Sequence, residues 1–508
     1  MISSLPDHLL YRILGFLTTE EAVWTSVLSS RWRNLWKWVP TLELDTSDFP
    51  FPCDKTCAAF IDKFLNFQSD SYLREFKLRI DQANFTSDVS LYEPCLGVVI
   101  KKPNIRHFQV ESDLLEHWCT NEIPLTLSAC EALVCLKLHL VRLNDFESLS
   151  LPCLKIMYLE DVFFPSDAAV ETLISCSPVL EDLKISLNGD DVVVVLRVYS
   201  QSLKSFTLKR KDPVDAINGA HTVLVDTPGL EYMSLMDYQF KSFKIISMSD
   251  SVKIDLDVDF DLMRDNLSER NIIYNLLNNF SGVRDMTISW TTLEFIYRFQ
   301  DMNPLPKFHD LTRLRATMSS NASLEVLPIV LESCPKLKHF HCTLELVNDY
   351  PVAVITRLSR VLPRCLVFSL ESVEMESPIT EKATELKLVR YFLENSAALK
   401  KLVLRLNHES TGEKHEPGVL KQLIESPRRS SLCQFEVLAV PPNPEPWWIY
   451  VKPQRVLERK IQHFEVLSCF GYLIEIPLTN SVCKRLSCNC ARSLLSGSQG
   501  VGTTEAIK

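Results

Sequence analysis

A short phrase, apolar-x-x-apolar-x-apolar, returns down most of this chain and leaves little freedom in what it can fold into. It reads LREFKL from 73, IRHFQV from 105, LVCLKL from 133, LKIMYL from 154, LEDLKI from 180 and LKSFTL from 203. It returns as LEYMSL from 230, VRDMTI from 283, LTRLRA from 311, LKHFHC from 337 and LKKLVL from 399, with an irregular copy near VKIDLDV at 252. The alternation inside each phrase is that of a short strand burying one face. Between 133 and 230 the starts advance by 21, 26, 23 and 27 residues. That period suits one strand plus one return segment per repeat, as in a leucine-rich-repeat solenoid. Pro103, Pro152, Pro178, Pro228 and Pro335 each stand two residues before the first apolar position, where a fixed φ and a missing N–H end the incoming segment. Residues 166–177 and 321–334 read as short outer helices. A doubly wound α/β domain is the competing reading. Against it, the chain has only 12 glycines and no Gly-rich phosphate loop after any strand.

At 508 residues the chain exceeds one ordinary core, and 46% hydrophobic with 23% charged residues is the balance of a folded protein. A net charge of −10 argues against general nucleic-acid binding, which needs a basic surface. No export leader is visible, and the apolar run VVVVL at 192–196 is far too short to span a bilayer. The cysteines scatter from Cys53 to Cys490 without regular pairing. They read as reduced thiols packed like small hydrophobes, so the expected location is nucleus or cytoplasm.

The first residues stand apart from the repeats. LPDHLLYRILGFLTTEEAVWTSVLSSRWRNLW, residues 5–36, reads as three short helices. Ser4 with Asp7 resembles a capping box, with Pro6 in the first turn, and Thr18 with Glu21 forms a second one. Leu5, Leu9, Ile13 and Leu17 recur every fourth residue with Leu10 and Leu14 beside them, and Ser29 begins a third helix carrying Trp32, Leu35 and Trp36. Helices this small expose more apolar surface than they bury on one another. The excess is an interaction surface, unless the block is only a cap sealing the first repeat.

This block resembles the F-box, the motif that docks on the Skp-type adaptor of cullin-based ubiquitin ligases, in its plant version. SCSPVLEDLKI (175–185) and ESCPKLKHF (332–340) are similar to the repeat phrase of plant F-box proteins. LESVEMESPITEKATELKLVRYFLENSAALKKLVLRL (370–406) resembles their FBD region, and SPRRSSLCQFEV (426–437) the segment on which they finish. The resemblance implies an α/β architecture: an F-box at 1–40, an irregular leucine-rich-repeat solenoid at 41–365 and an FBD region at 366–438. Outside the resemblance, composition alone reads 439–508 as a proline-rich linker, PPNPEPWW at 441–448, and an unassigned, partly disordered tail. Carried over residue by residue, the adaptor-binding positions are Leu5, Pro6, Leu9, Ile13, Leu17, Val27, Trp32 and Leu35. Thr18 stands where the family commonly has Pro, and Ser30 where it commonly has Lys; neither removes an apolar contact. The implied partners are a Skp-like adaptor, through it a cullin and a RING subunit, and a target protein held for ubiquitination, with no nucleic acid and no membrane. The alternative is a leucine-rich-repeat binding scaffold outside any ligase.

The third and fifth residues of each phrase point outward onto the concave side. There Tyr158, Asp182, Lys184, Tyr232, Arg313, Arg315, His339, His341 and Lys401 are the candidate target contacts. The late cluster of Arg313, Arg315, His339, His341 and Lys401 suits an acidic or phosphorylated segment, or an anionic co-ligand; a solvated, evenly charged face is the competing reading. No cofactor and no metal is expected. His339 and His341 lack a third ligand nearby, and Cys483, Cys488 and Cys490 lack paired zinc-site spacing. No HExxH, P-loop or GxSxG element is present, so the expectation is a non-catalytic component. The FBD helix at 380–395, with Ala383, Leu386, Val389 and Leu393 on one side, packs beneath the LKKLVL strand or offers a partner surface.

Overall fold

The computed structural model describes residues 5–49, 53–67, 73–81, 88–113, 122–146, 148–187, 193–210, 221–237, 240–258, 267–299, 305–319, 326–345, 362–378, 383–407 and 425–440. Two helices, α1 (Asp7–Leu14) and α2 (Thr19–Trp24), open it, and 3-10 turns follow at Thr25–Val27 and Trp32–Trp38. Thr18 caps α2 as expected. Its hydroxyl accepts from Glu21 N–H at 3.2 Å while its own N–H donates to Glu21 Oε2 at 3.0 Å, so two orphaned donors are satisfied at once. Pro6 occupies the N-cap of α1 rather than its first turn, and Ser4 lies outside the described residues. The third segment is a 3-10 turn instead of an α-helix, with no side-chain cap at its start.

From Thr41 the chain lays down strands β1 (Thr41–Asp45), β2 (Glu75–Asp81), β3 (His107–Asp113), β4 (Ile123–Leu125), β5 (Cys135–His139), β6 (Val141–Leu143), β7 (Ile156–Glu160) and β8 (Asp182–Leu187). Next come β9 (Val195–Tyr199), β10 (Ser205–Arg210), β11 (His221–Thr227), β12 (Tyr232–Asp237), β13 (Phe240–Met248) and β14 (Lys253–Val258). The last are β15 (Asp285–Ile288), β16 (Arg313–Ser319), β17 (His339–Glu345), β18 (Ser372–Pro378), β19 (Lys401–Asn407) and β20 (Gln434–Val440). One 15-stranded sheet joins them in the order β1-β2-β3-β5-β7-β8-β10-β12-β14-β15-β16-β17-β18-β19-β20. Each adjacent pair is parallel, as crossover-connected repeats require.

Every counted phrase is a strand of that sheet. The copy near 252, expected to be irregular, is regular: β14 pairs in register with β12 and β15. Three further strands, β1, β18 and β20, arise from phrases the repeat reading does not count: VPTLEL from 39, LESVEM from 370 and LCQFEV from 432. The sheet therefore runs from the foot of the N-terminal helices through the FBD region without a break. Ala439 and Val440, expected to open the linker, end β20 instead, and residues 441–508, with Cys483, Cys488 and Cys490, lie outside the described residues.

Register explains the core. Phe76, Phe108, Leu136, Met157, Leu183 and Phe206 are consecutive partners across six strands, and all are fully buried. Identical positions stack at the strand spacing of about 4.8 Å, close enough for the Phe76 and Phe108 rings to stack with centroids 5.5 Å apart. The prolines act where the sequence places them. Ile105, Leu154, Leu180, Leu230 and Leu337 donate back to Lys102, Leu151, Ser177, Thr227 and Cys334 at 3.1–3.2 Å. Each closes a β-turn with proline second, the position that its fixed φ favours.

The outer layer alternates between helices and strands. It holds α3 (Cys53–Phe67), α4 (Glu93–Ile100), α5 (Asp167–Ser175), α6 (Leu267–Asn279), α7 (Trp290–Phe299), α8 (Val326–Glu332), α9 (Arg364–Phe368) and α10 (Ala383–Asn395). α5 and α8 fall inside the two stretches read as outer helices. Elsewhere the return segments pair instead, β4 with β6, and β11 with β9 on one side and β13 on the other. Leu140 and Asp161 turn the chain off the sheet after β5 and β7 through left-handed backbone, at φ 56 and 51. His221 Nε2 meets Asp237 Oδ2 at 2.9 Å where β11 starts and β12 ends, with both side chains 1% exposed. The FBD helix α10 is an outer helix: Leu388, Val389, Phe392 and Leu393 are buried, and the Phe392 ring lies 5.5 Å from that of Phe340 in β17. The side chains of Ala383 and Leu386 lie outside the described set.

Candidate functional site

The N-terminal helices sort their apolar residues into two faces. On α1, Leu10 and Leu14 are fully buried, while Leu9 is 38% and Ile13 41% exposed. Phe16, three residues past Ile13 and on the same stripe, is 86% exposed. Phe16 is absent from the carried-over positions, yet the i, i+4, i+7 spacing of Leu9, Ile13 and Phe16 was the signal for it. Val27 and its neighbour Leu28 are also exposed, whereas Leu5 and Leu17 are half-buried and Pro6 is exposed. Trp32 and Leu35 are buried in the core that also holds Trp36. The Trp36 ring stacks on Phe60 and Phe64 of α3, so the third segment is pinned to the first repeat and its inward residues hold the others up.

Two contacts fix the arrangement. Arg31 reaches back to the start of α1, pairing with Asp7 Oδ1 at 2.6 Å and donating to the Leu5 carbonyl. Thr18, which departs from the proline common at that position, supplies the cap of α2. Beside it, a cleft lined by Thr18, Glu21, Trp24, Glu43, Lys77 and Arg79 separates α2 from the first strands. Its lining includes the ion pair of Lys77 with Glu43 at 2.9 Å.

The second surface is the solvent face of the sheet. Register puts all nine candidate target residues there. Asp182, Tyr232, Arg313, His339 and Lys401 lie in the first outward row, and Tyr158, Lys184, Arg315 and His341 in the next. They are largely knitted to neighbouring strands. Tyr158 donates to Asp182 Oδ2 at 2.6 Å, a bond that with burial pushes its phenol up to about 12, and Lys137 lies 5.1 Å from the Tyr158 ring centre. Lys184 pairs with Glu160 at 2.6 Å, and Tyr232 donates to Asp255 at 3.4 Å.

The late basic cluster is mostly compensated. Arg315 pairs with Asp285 at 2.8 Å, Lys401 with Glu436 at 2.9 Å, and His341 Nδ1 stands 3.8 Å from Glu374. Glu374 belongs to β18 and Glu436 to β20, two of the strands the repeat reading leaves out. Arg313 and His339 remain, both exposed and outside any ion pair among the described residues. His339 and His341 share a face, but His341 Nε2 lies 3.3 Å from the Thr343 hydroxyl. Among the described residues no group of three His, Cys, Asp or Glu is placed to hold a metal ion. No helix among them is long and apolar enough to cross a membrane.

Comparison with known proteins follows the same division. Residues 2–44 match the F-box domain, residues 107–255 match the model described as FBD-associated F-box protein At5g56370, LRR repeats, and residues 359–404 match FBD. The F-box/FBD/LRR-repeat protein At5g18770 of Arabidopsis thaliana is 88% identical over 457 residues, covering 90% of this chain and 95% of that protein. The FBD-associated F-box protein At5g18780 of the same plant is 56% identical over 439 residues, 86% of this chain and 97% of the relative.

Proposed function

The chain belongs to the F-box/FBD/leucine-rich-repeat family of plants, and from that premise we propose that it is the substrate-recognition subunit of an SCF-type ubiquitin ligase. The observation that carries the reading is the face of α1: Leu9, Ile13 and Phe16 stay open to solvent although a long apolar core lies next to them. A helical cap serving only the first repeat would turn that stripe inward, as it does Leu10 and Leu14. Open leucine and isoleucine at helical spacing suit a partner helix packing across them.

The adaptor then takes α1 together with the exposed Val27 and Leu28, and through the adaptor come the cullin and RING subunit. The solvent face of the sheet holds the target. The chain itself contributes no bond-making group in this reading. It raises the effective concentration of a target lysine at the conjugating enzyme, which accelerates transfer without any catalytic residue of its own. No cofactor is required, and the work belongs in the nucleus or cytoplasm.

Co-purification with a plant Skp-type adaptor tests the proposal, wild type beside Leu9→Asp/Ile13→Asp. Both side chains are partly exposed, so the double variant keeps its circular dichroism spectrum and melting temperature and loses the adaptor. If folded wild type fails to capture adaptor, the ligase reading falls and the repeat scaffold outside a ligase takes its place.

A further inference from the structure

We infer that the leading edge of strands β15 to β17 is a docking strip for an acidic, extended segment of the target, a step that rests on the receptor reading above and names the chemistry of its ligand. Three cations and a histidine meet there. Arg313 and His339 are register partners in β16 and β17, on the solvent face. Arg284 and Lys338 each stand one residue before their strand, and the backbone sets them in line. The Arg284 carbonyl accepts from Thr312 and Arg313 N–H at 3.0 and 3.1 Å, and the Thr312 carbonyl from Lys338 and His339 N–H at 2.9 and 3.0 Å. All four side chains are exposed. They spread over two strand spacings, roughly 10 Å.

The carboxylates around them are committed elsewhere. Asp285 holds Arg315 at 2.8 Å, Asp310 holds Lys336 at 2.8 Å, Glu371 holds Lys400 at 2.7 Å, and Glu374 pairs with Arg405 and His341. Arg284 also lowers Asp310, and Lys338 and His339 lower Glu371, each behind the lysine that the carboxylate pairs with. Earlier in the sheet the same leading row compensates itself, with Lys155 and Lys204 sharing Glu181 at 2.8 and 3.0 Å. The strip thus keeps an excess of positive charge in a chain whose net charge is −10.

Its layout selects the ligand. A single phosphate is gripped by donors converging on one point, whereas these cations lie in two rows on three strands and suit charges spread along a chain. Asp285, Asp310 and Glu371 sit between and around them, so the ligand must be able to turn some of its charges aside. Spaced Asp and Glu side chains on an extended peptide fit best.

The test is fluorescence anisotropy of labelled octaglutamate peptide titrated with the full chain, and octaglutamine as the uncharged comparison. Wild type binds the first and not the second, with affinity falling as salt rises. Arg284→Glu/Arg313→Glu, and separately Lys338→Glu, weaken binding at least about tenfold. Arg74→Glu/Arg106→Glu, an equal charge change at the other end of the leading edge, leaves it unchanged. Equal weakening by that control, unchanged binding in the strip variants, or binding of tripolyphosphate without octaglutamate overturns the inference. Adaptor capture, run on the same preparations, keeps the two ideas apart. A wild-type chain that binds octaglutamate without capturing adaptor sinks the receptor reading and leaves the strip standing.

Discussion

Leu9 and Trp32 are both apolar residues of the opening block, and sequence alone gives them the same role; burial separates them, at 38% and 4% exposed. Trp32→Ala opens a cavity in the core and lowers stability by about 3–5 kcal/mol, read as a fall in denaturation midpoint, whereas Leu9→Asp moves it by less than about 1 kcal/mol. An unchanged midpoint in Trp32→Ala would place that side chain outside the core. The thiols give a second residue-scale prediction. Burial raises Cys95 to about 11 and Cys342 and Cys365 to about 12, from an ordinary 9.0. A thiol raised in the folded state contributes stability that is fully present below about pH 9 and is lost as pH climbs through 11 to 12. Stability therefore holds to pH 9 and declines above it. At neutral pH, alkylation followed by mass spectrometry labels exposed Cys153 well before Cys342 or Cys365. The general placement of the cysteines as packed thiols was legible from their scatter. Which apolar helix residues stay open was not, because that depends on α3 and its Phe60 and Phe64 arriving from later in the chain.

At the scale of elements, most of the sheet could be read in advance, since period-two alternation and proline at a fixed offset act locally. The outward positions of each phrase came out on the solvent face for the same reason. What escaped was pairing. LESVEM and VPTLEL both fit the phrase, but one lies in the stretch that resembles the FBD region and the other follows directly on the helical block, so neither is counted as a repeat. Without β18 and β20 the partners of His341 and Lys401 were missing, and the row looked uncompensated. The 3-10 form of the third segment was likewise invisible, because it follows from a missing cap and packing on α3. Each strand supports its neighbours directly and the distant ones hardly at all. Phe206→Ala in β10 therefore costs about 3–5 kcal/mol, and amide exchange accelerates in β8 and β12 well before β2 or β19. Uniform acceleration along the sheet would show that the repeats unfold as one unit.

For the whole molecule, the decisive feature is that β1, which follows the N-terminal helices directly, is itself the first rung of the 15-stranded sheet. Resemblance gave separate stretches for the F-box, the repeats and the FBD region, while hydrogen bonding makes one ladder of them. β16 lies ten places along from β1 in the sheet order, about 48 Å of ladder at about 4.8 Å a rung. On the proposed reading, the sheet is a ruler with its zero mark at the adaptor. In a receptor of this kind, reach is graduated rather than hinged. A relative that gains or loses one repeat before β16 shifts its cargo by one division, and so presents a different lysine to the same fixed enzyme.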